Sequence, residues 1–154
     1  MTIQSRSMSS PVSAVLEFGG PEPFETATVM HEKLRFHTDS WDLSVDLKDG
    51  CPTVAVVDAR GRDAYEKGHI PGAISCPHKE MTPESTAGFD REKTYVVYCD
   101  GIGCNGSTKG TYKLARLGFR VKELLGGLDW WRRDGHPVQT GSEPGDIRNS
   151  IART

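Results

Sequence analysis

Short apolar runs alternate along this chain with segments that have helical spacing. Residues 53–57 and 94–98 are runs of β-branched and aromatic residues, typical of strands buried on both faces of a sheet. Further strands are predicted at residues 35–37, 73–75 and 120–124. Helical spacing and capping residues predict helices over residues 22–34, 39–49 and 63–67, from 107 onward, and from 128 to a stop at 134. This alternation predicts an α/β domain with a mainly parallel central sheet flanked by helices on both faces.

The length of 154 residues suits one domain with a single core. We expect a flexible N-terminal arm over residues 1–20, one domain over 21–138 and a polar, loose C-terminal tail over 139–154. The chain has no run of 18 apolar residues and no secretory signal, so a cytoplasmic protein without membrane contact is predicted. A net charge of -2 gives no strong electrostatic case for nucleic acid as a partner.

The four cysteines are Cys51, Cys76, Cys99 and Cys104. They would allow two disulfides, but a domain of this size without an export signal indicates mostly reduced thiols. Cys99 differs from the others because it stands at the carboxyl end of a predicted strand and before a loop with three glycines. Loop amides and the dipole of the following helix create positive potential there, which favours a thiolate. We therefore predict that Cys99 is reactive.

Several separated motifs resemble the rhodanese-like domain family, in that family's order, over about residues 38–138. They are Val56-Val57-Asp58-Ala59-Arg60, then Tyr65 with Gly68-His69-Ile70-Pro71-Gly72-Ala73-Ile74, Val96-Val97-Tyr98-Cys99, and Leu125-Gly126-Gly127 followed by Trp130. The resemblance implies a sulfurtransferase of the thiosulfate:cyanide type that needs no cofactor or metal. Its cysteine would take a sulfane sulfur from thiosulfate, a mercapto-acid or a persulfide. It would hold that sulfur as a persulfide and pass it to a thiophilic acceptor, a small molecule or a protein thiol.

The same resemblance assigns Cys99 to the catalytic position and the following amides to the cradle around the bound sulfur. The predicted active-site loop consists of Asp100, Gly101, Ile102, Gly103, Cys104, Asn105, Gly106 and Ser107. Four residues are predicted to support it, namely Asp58, Arg60, His69 and Lys109. Asp58 and Arg60 are expected to form an ion pair or hydrogen-bond network that holds the loop, and Lys109 to add positive potential or simply to face solvent. His69 is expected mainly to hold its turn.

The loop departs from the family pattern. Seven residues, 100–106, separate Cys99 from Ser107, which makes the loop longer than usual. The cation often found inside the loop is missing, and Asp100 puts a carboxylate beside the nucleophile instead. That carboxylate is expected to raise the pKa of Cys99 and to repel an anionic donor, which favours a less charged one.

Other functions remain open at this point. Phosphatases and arsenate reductases of related fold need an arginine that closes the loop, and Asn105, Gly106 and Ser107 stand there instead. Cys104 allows a reversible disulfide or a persulfide relay with Cys99, or it merely packs under the loop. A zinc site would need a second ligand pair that the chain does not offer. A non-catalytic or redox-regulatory binding module that uses the Cys99/Cys104 loop is the alternative from another class.

Overall fold

The computed structural model describes residues 10–151 of the chain, which divides into two units, residues 1–32 and 33–154. In the first unit, residues 10–22 form no helix or strand and are exposed. The first nine residues of the predicted arm lie outside the described residues. A helix, α1 (Pro23–Phe36), begins in the first unit and ends in the second. It has proline at its first position, where the missing N–H costs no helical hydrogen bond, and it contains no buried residue.

The second unit holds the sheet and the remaining helices. Its strands are β1 (His37–Thr38), β2 (Val54–Asp58), β3 (Ile74–Ser75), β4 (Thr94–Tyr98) and β5 (Arg120–Leu124). Its helices are α2 (Ser40–Asp49), α3 (Arg62–Lys67), α4 (Gly106–Arg116), α5 (Gly127–Arg133) and α6 (Ile147–Ile151), with a 3₁₀ helix at His78–Glu80. None of the helices within residues 10–151 combines the length and apolar composition of a membrane span.

The five strands form one sheet in the order β1-β5-β4-β2-β3, and every pairing between them is parallel. β2 and β4 pair in register at the centre, with Val56 opposite Val96 and Val57 opposite Val97. A parallel sheet needs a crossover between neighbouring strands, and the helices supply these crossovers. The predicted α/β fold with a parallel central sheet is confirmed.

Alternate residues of the central strands face opposite layers, as the period of two requires. On one face Val56, Val96 and Tyr98 pack with residues of α2, α3, α5 and α6, with Trp131 of α5 fully buried among them. On the other face Val57 and Val97 pack with the buried Leu114 of α4 and with neighbouring loops. Both faces are therefore covered by helices.

Within the described residues, the segment after residue 138 packs on the domain, contrary to the expectation of a loose tail. Gln139 and His69 exchange two backbone hydrogen bonds of 2.9 Å, and Gly72 donates to the Pro144 carbonyl at 2.7 Å. Ile147 is 1 % exposed and belongs to the core. Two isoleucines in a polar stretch, Ile147 and Ile151, are too short a pattern to predict burial, which is why sequence reasoning missed this packing.

Candidate active site

Cys99 immediately follows β4 and is 4 % exposed. Its Sγ atom is joined to Sγ of Cys104 in a disulfide, with the two Cα atoms 6.3 Å apart. A turn in which the Cys104 amide donates to the Gly101 carbonyl at 3.1 Å folds the loop back on itself. The expectation of reduced thiols is therefore wrong for this pair, whereas Cys51 and Cys76 are free. Of the alternatives left open for Cys104, the structure adopts the disulfide.

The amino terminus of α5 holds the start of the loop. The Leu128 and Asp129 amides donate to the carbonyls of Cys99 and Asp100, at 3.0 and 2.8 Å. Gly127 adopts a φ of +57°, and a Cβ atom there would lie 2.4 Å from the Cys99 carbonyl oxygen. Only glycine therefore fits this contact. Sequence reasoning noted Gly127 as part of a motif and assigned it no role.

The amino terminus of α4 closes the other end of the loop. The helix begins at Gly106, not at Ser107 as predicted, and Asn105 makes no side-chain cap. The loop before the helix is thus residues 100–105. The Gly106 amide donates to Cys104 Sγ at 3.4 Å, and a Cβ atom on Gly106 would lie 2.9 Å from Cys99 Sγ. The helix thus starts one residue earlier than a hydroxyl cap at Ser107 predicted, and its first residue lies against Cys99 Sγ.

Backbone amides in the loop are available to a ligand. Within the described part of the chain, the amides of residues 100–103 donate to no backbone or side-chain acceptor. Ile102 at the tip is 78 % exposed. Successive amides without acceptors beside a helix amino terminus suit a bound anion.

A buried charge network lies beneath the loop at the end of β2. Asp58 is fully buried and accepts hydrogen bonds from Arg60 Nε at 3.0 Å and Nη2 at 2.7 Å. The Tyr98 hydroxyl donates to the same carboxylate at 2.7 Å, and Arg60 also donates to the Gly68 carbonyl. Burial opposes the charge of Arg60, but the hydrogen bonds and charge of Asp58 outweigh it and raise the pKa of Arg60. Arg60 is therefore always charged.

Arg60 also reaches into the loop, where its Nη1 atom donates to Asp100 Oδ1 at 3.1 Å. The Asp100 side chain is 71 % exposed. Sequence reasoning treated this carboxylate as lacking a cationic side-chain partner, and the structure supplies one from the end of the neighbouring strand. Arg60 also pairs with the buried Asp58, so one cation faces two carboxylates and the predicted repulsion of anionic donors by Asp100 stays a prediction.

An open cavity of about 630 Å³ leads from the surface to the cysteine pair. Its lining includes five residues that sequence reasoning did not assign to the site, namely Arg62, Asp63, His78, Lys79 and Glu80. Arg62 pairs with Glu80 at 2.5 Å. These residues come from α3 and the 3₁₀ helix, and no local motif connects them with Cys99. The signal that could have assigned them to the site is their position just after the carboxyl ends of β2 and β3, where ligands bind in parallel sheets.

His78 lies on the wall of this cavity with its Nδ1 atom buried and without a hydrogen-bond partner in the described residues. Burial, together with the charges of Lys113, Lys109 and Lys79, lowers the pKa of His78. The neutral ring is therefore favoured. Lys113 also donates to the His78 carbonyl at 2.7 Å and so fixes this turn to α4.

Of the four predicted supporting residues, Arg60 lines the cavity, whereas Asp58, Lys109 and His69 lie outside its lining. Lys109 is exposed on α4 and acts on the site only through its charge. His69 is fully buried, and its ring stacks on Tyr65 with centroids 3.6 Å apart. The Nε2 atom of His69 lies 3.0 Å from the Glu143 carbonyl oxygen. His69 thus binds the C-terminal segment. No cluster of three metal-binding side chains occurs within the described residues.

The chain is similar in sequence to known proteins. The chain is 35 % identical over 92 residues to an HTH-type transcriptional regulator of Mycobacterium tuberculosis, covering 60 % of this chain and 40 % of the regulator. It therefore spans less than half of that relative's length. It is 34 % identical over 73 residues to the thiosulfate sulfurtransferase PspE of Escherichia coli, which covers 47 % of this chain and 68 % of PspE.

A crystal structure of a protein from Bacillus halodurans superposes with a TM-score of 0.76 at 37 % identity, covering 86 % of this chain and all of that one. The family model for the rhodanese-like domain matches residues 42–134, which include β2, β4, the loop and α5. The matched span contains Asp58, Arg60 and both loop cysteines. The chain belongs to the rhodanese-like domain family.

Proposed function

We propose that this chain is a sulfurtransferase that carries a sulfane sulfur as a persulfide on Cys99. The observation that carries the proposal is the setting of Cys99 Sγ, which lies against the Gly106 backbone at the start of α4, after a loop of amides without acceptors. Amide dipoles and the helix amino terminus stabilise an anion, whether a thiolate or a persulfide. Membership of the rhodanese-like family and the similarity to PspE support this function.

The reaction starts from the reduced loop, because a cysteine in a disulfide is not a nucleophile. The Cys99 thiolate attacks the outer sulfur of thiosulfate, the S–S bond of the donor breaks and sulfite leaves. A thiophilic acceptor then attacks the outer sulfur of the Cys99 persulfide. This second step returns the Cys99 thiolate and completes the cycle.

A small anionic donor of the thiosulfate class is compatible with the cavity rim. Arg60 is shared between Asp58 and Asp100, and Arg62 is paired with Glu80. Lys79 has no ion-pair partner within the described residues and lines the cavity. The preference for a less charged donor rests on the charge of Asp100 and stays a prediction, and thiosulfate is the first donor to test because Lys79 offers it a cation.

The disulfide supports a second candidate function. A redox-regulatory rhodanese-like module would use the Cys99–Cys104 bond itself as its signal and would transfer no sulfur. The similarity to a transcriptional regulator is compatible with such a module. The two functions differ in one measurable respect, since only the sulfurtransferase turns over a sulfur donor.

The test uses full-length protein that has been reduced and freed of reductant. With thiosulfate and cyanide, the native protein is expected to produce thiocyanate, and Cys99→Ser is expected to produce none. The matched control is Cys51→Ser, which removes a free thiol and should keep native activity. Equal turnover by Cys99→Ser and the native protein would overturn the assignment. No turnover by any form, combined with reversible Cys99–Cys104 oxidation, would favour the redox module.

A further inference from the structure

The position of Cys104 suggests chemistry beyond simple persulfide transfer. Cys104 forms its bond with Sγ of Cys99 itself, while the chain's other two cysteines are free. The turn from Gly101 to Cys104 folds the loop back, and the Gly106 amide donates to Cys104 Sγ at 3.4 Å. A Cys104 thiolate could accept the same hydrogen bond from the Gly106 amide, and this would stabilise the nucleophilic form of Cys104.

We propose that Cys104 is the resolving thiol of this site and releases the sulfur carried by Cys99 as sulfide. The proposal rests on the function proposed above. The Cys104 thiolate attacks Cys99 Sγ of the persulfide, a new bond forms between the two Sγ atoms, and the bond from Cys99 to the outer sulfur breaks. Hydrosulfide leaves and takes up the proton that Cys104 lost. The products are the Cys99–Cys104 disulfide and hydrogen sulfide.

The geometry favours attack on the inner sulfur over transfer of the outer one. A Cβ atom on Gly106 would lie 2.9 Å from Cys99 Sγ and 3.3 Å from Cys104 Sγ, so the backbone flanks both sulfurs at once. A relay would instead require Cys104 Sγ to reach the outer sulfur of the persulfide, which lies one S–S bond of about 2 Å beyond Cys99 Sγ. The observed bond shows that the loop brings Cys104 to the inner sulfur without such a shift.

The electrons of this step come from the chain. The sulfane sulfur gains two electrons as it becomes sulfide, and the two cysteine sulfurs lose two electrons as they form the disulfide. No external thiol is needed for the release. A dithiol reductant then reopens the disulfide by thiol–disulfide exchange. Cys104 is partly exposed and Cys99 is buried, so the reductant would attack Cys104 and set Cys99 free as a thiolate.

The experiment is an anaerobic single turnover of the reduced full-length chain with one equivalent of thiosulfate and no other thiol. Sulfite and sulfide are quantified, and intact mass shows the state of the cysteines. The native protein is expected to release one sulfide for each sulfite and to end as the disulfide, as the balanced step requires. Cys104→Ser and Cys104→Ala are expected to lower the yield of sulfide per sulfite released about tenfold or more, and to keep the mass of one added sulfur.

Cys51→Ser serves as the control and should give the native stoichiometry. The proposal is overturned if the native protein releases sulfite but keeps a stable persulfide with Cys104 still a thiol. It is also overturned if Cys104→Ser releases as much sulfide as the native protein. If no form releases sulfite from thiosulfate or takes up sulfur from a polysulfide, the proposed function itself has failed, and the resolving step fails with it. These outcomes distinguish the two failures.

Discussion

Replacing Arg60 by Ala would test the buried charge network beneath the loop. The Arg60 side chain is 7 % exposed and its partner Asp58 is fully buried. Without the guanidinium, the carboxylate keeps only the Tyr98 hydroxyl and the backbone amide of residue 60 as donors. Removal of one partner from a buried ion pair costs about 3–5 kcal/mol, a large share of a typical domain stability of about 5–15 kcal/mol.

The same guanidinium offers an internal comparison at Asp100, whose side chain is 71 % exposed. Exposed ion pairs contribute about 0–1 kcal/mol because water and salt screen them, so Asp100→Asn should change stability little. The double variant Asp58→Asn with Arg60→Met removes both buried charges together. It should recover much of the loss, since no uncompensated charge remains.

The assay is urea denaturation of the reduced proteins, with the free energy of unfolding extrapolated at a constant slope. Thiocyanate production measured on the same samples should fall in Arg60→Ala along with stability, because Arg60 holds Asp100 of the loop. A stability loss in Arg60→Ala below about 1 kcal/mol, or no larger than that of Asp100→Asn, would refute the reasoning. Unchanged stability with activity lost would instead assign Arg60 to the substrate.

Three further predictions concern backbone contacts and pH. Gly106→Ala should lower kcat/KM about 100-fold with little change in melting temperature, because its Cβ would displace Cys99 Sγ, whereas Gly103→Ala, with open space around it, should not. Gly127→Ala should destabilise the fold by about 1–3 kcal/mol in urea denaturation, because φ is +57° and the Cβ would meet the Cys99 carbonyl. Burial, aided by the charge of Lys48, lowers the pKa of His136 in the folded protein. Near and below the ordinary histidine pKa of 6.5 the unfolded chain therefore binds more protons than the folded one, so the free energy of unfolding should fall from about pH 7 to pH 5. His136→Phe should reduce that fall in melting temperature, and an identical pH profile would contradict this account.

Much of the fold could be predicted from local patterns. β4 has the bounds that its run of β-branched and aromatic residues predicted, because a strand buried on both faces needs apolar side chains without interruption. β5 also has the predicted bounds, although its sequence is mostly polar. The cap of α2 was also readable, since Asp39 accepts from the Asp42 amide at 2.9 Å as an N-cap should. These features depend on residues close together in the sequence.

The candidate site was predicted less completely, because its decisive contacts join distant residues. Arg60 and Asp100 are 40 positions apart, and no local pattern connects them. The hydroxyls of Ser107 and Thr108 suggested a helix cap, but the helix begins at Gly106, whose backbone lies against Cys99 Sγ. The cytoplasmic location and the lack of a nucleic-acid partner stay predictions.

The loop is held in two physically different ways, by backbone contacts at its ends and by a charged side chain that is anchored in the interior. Its ends are held by backbone groups, where Leu128 donates to the Cys99 carbonyl and Gly106 lies against the Cys99 sulfur. Its charge is held by Arg60, which is itself fixed by the buried Asp58. The Asp58–Arg60 pair belongs to the interior, so changes there affect folding and chemistry together. The exposed residues of the loop contribute little to the core, and their substitution should change reactivity while the fold is retained.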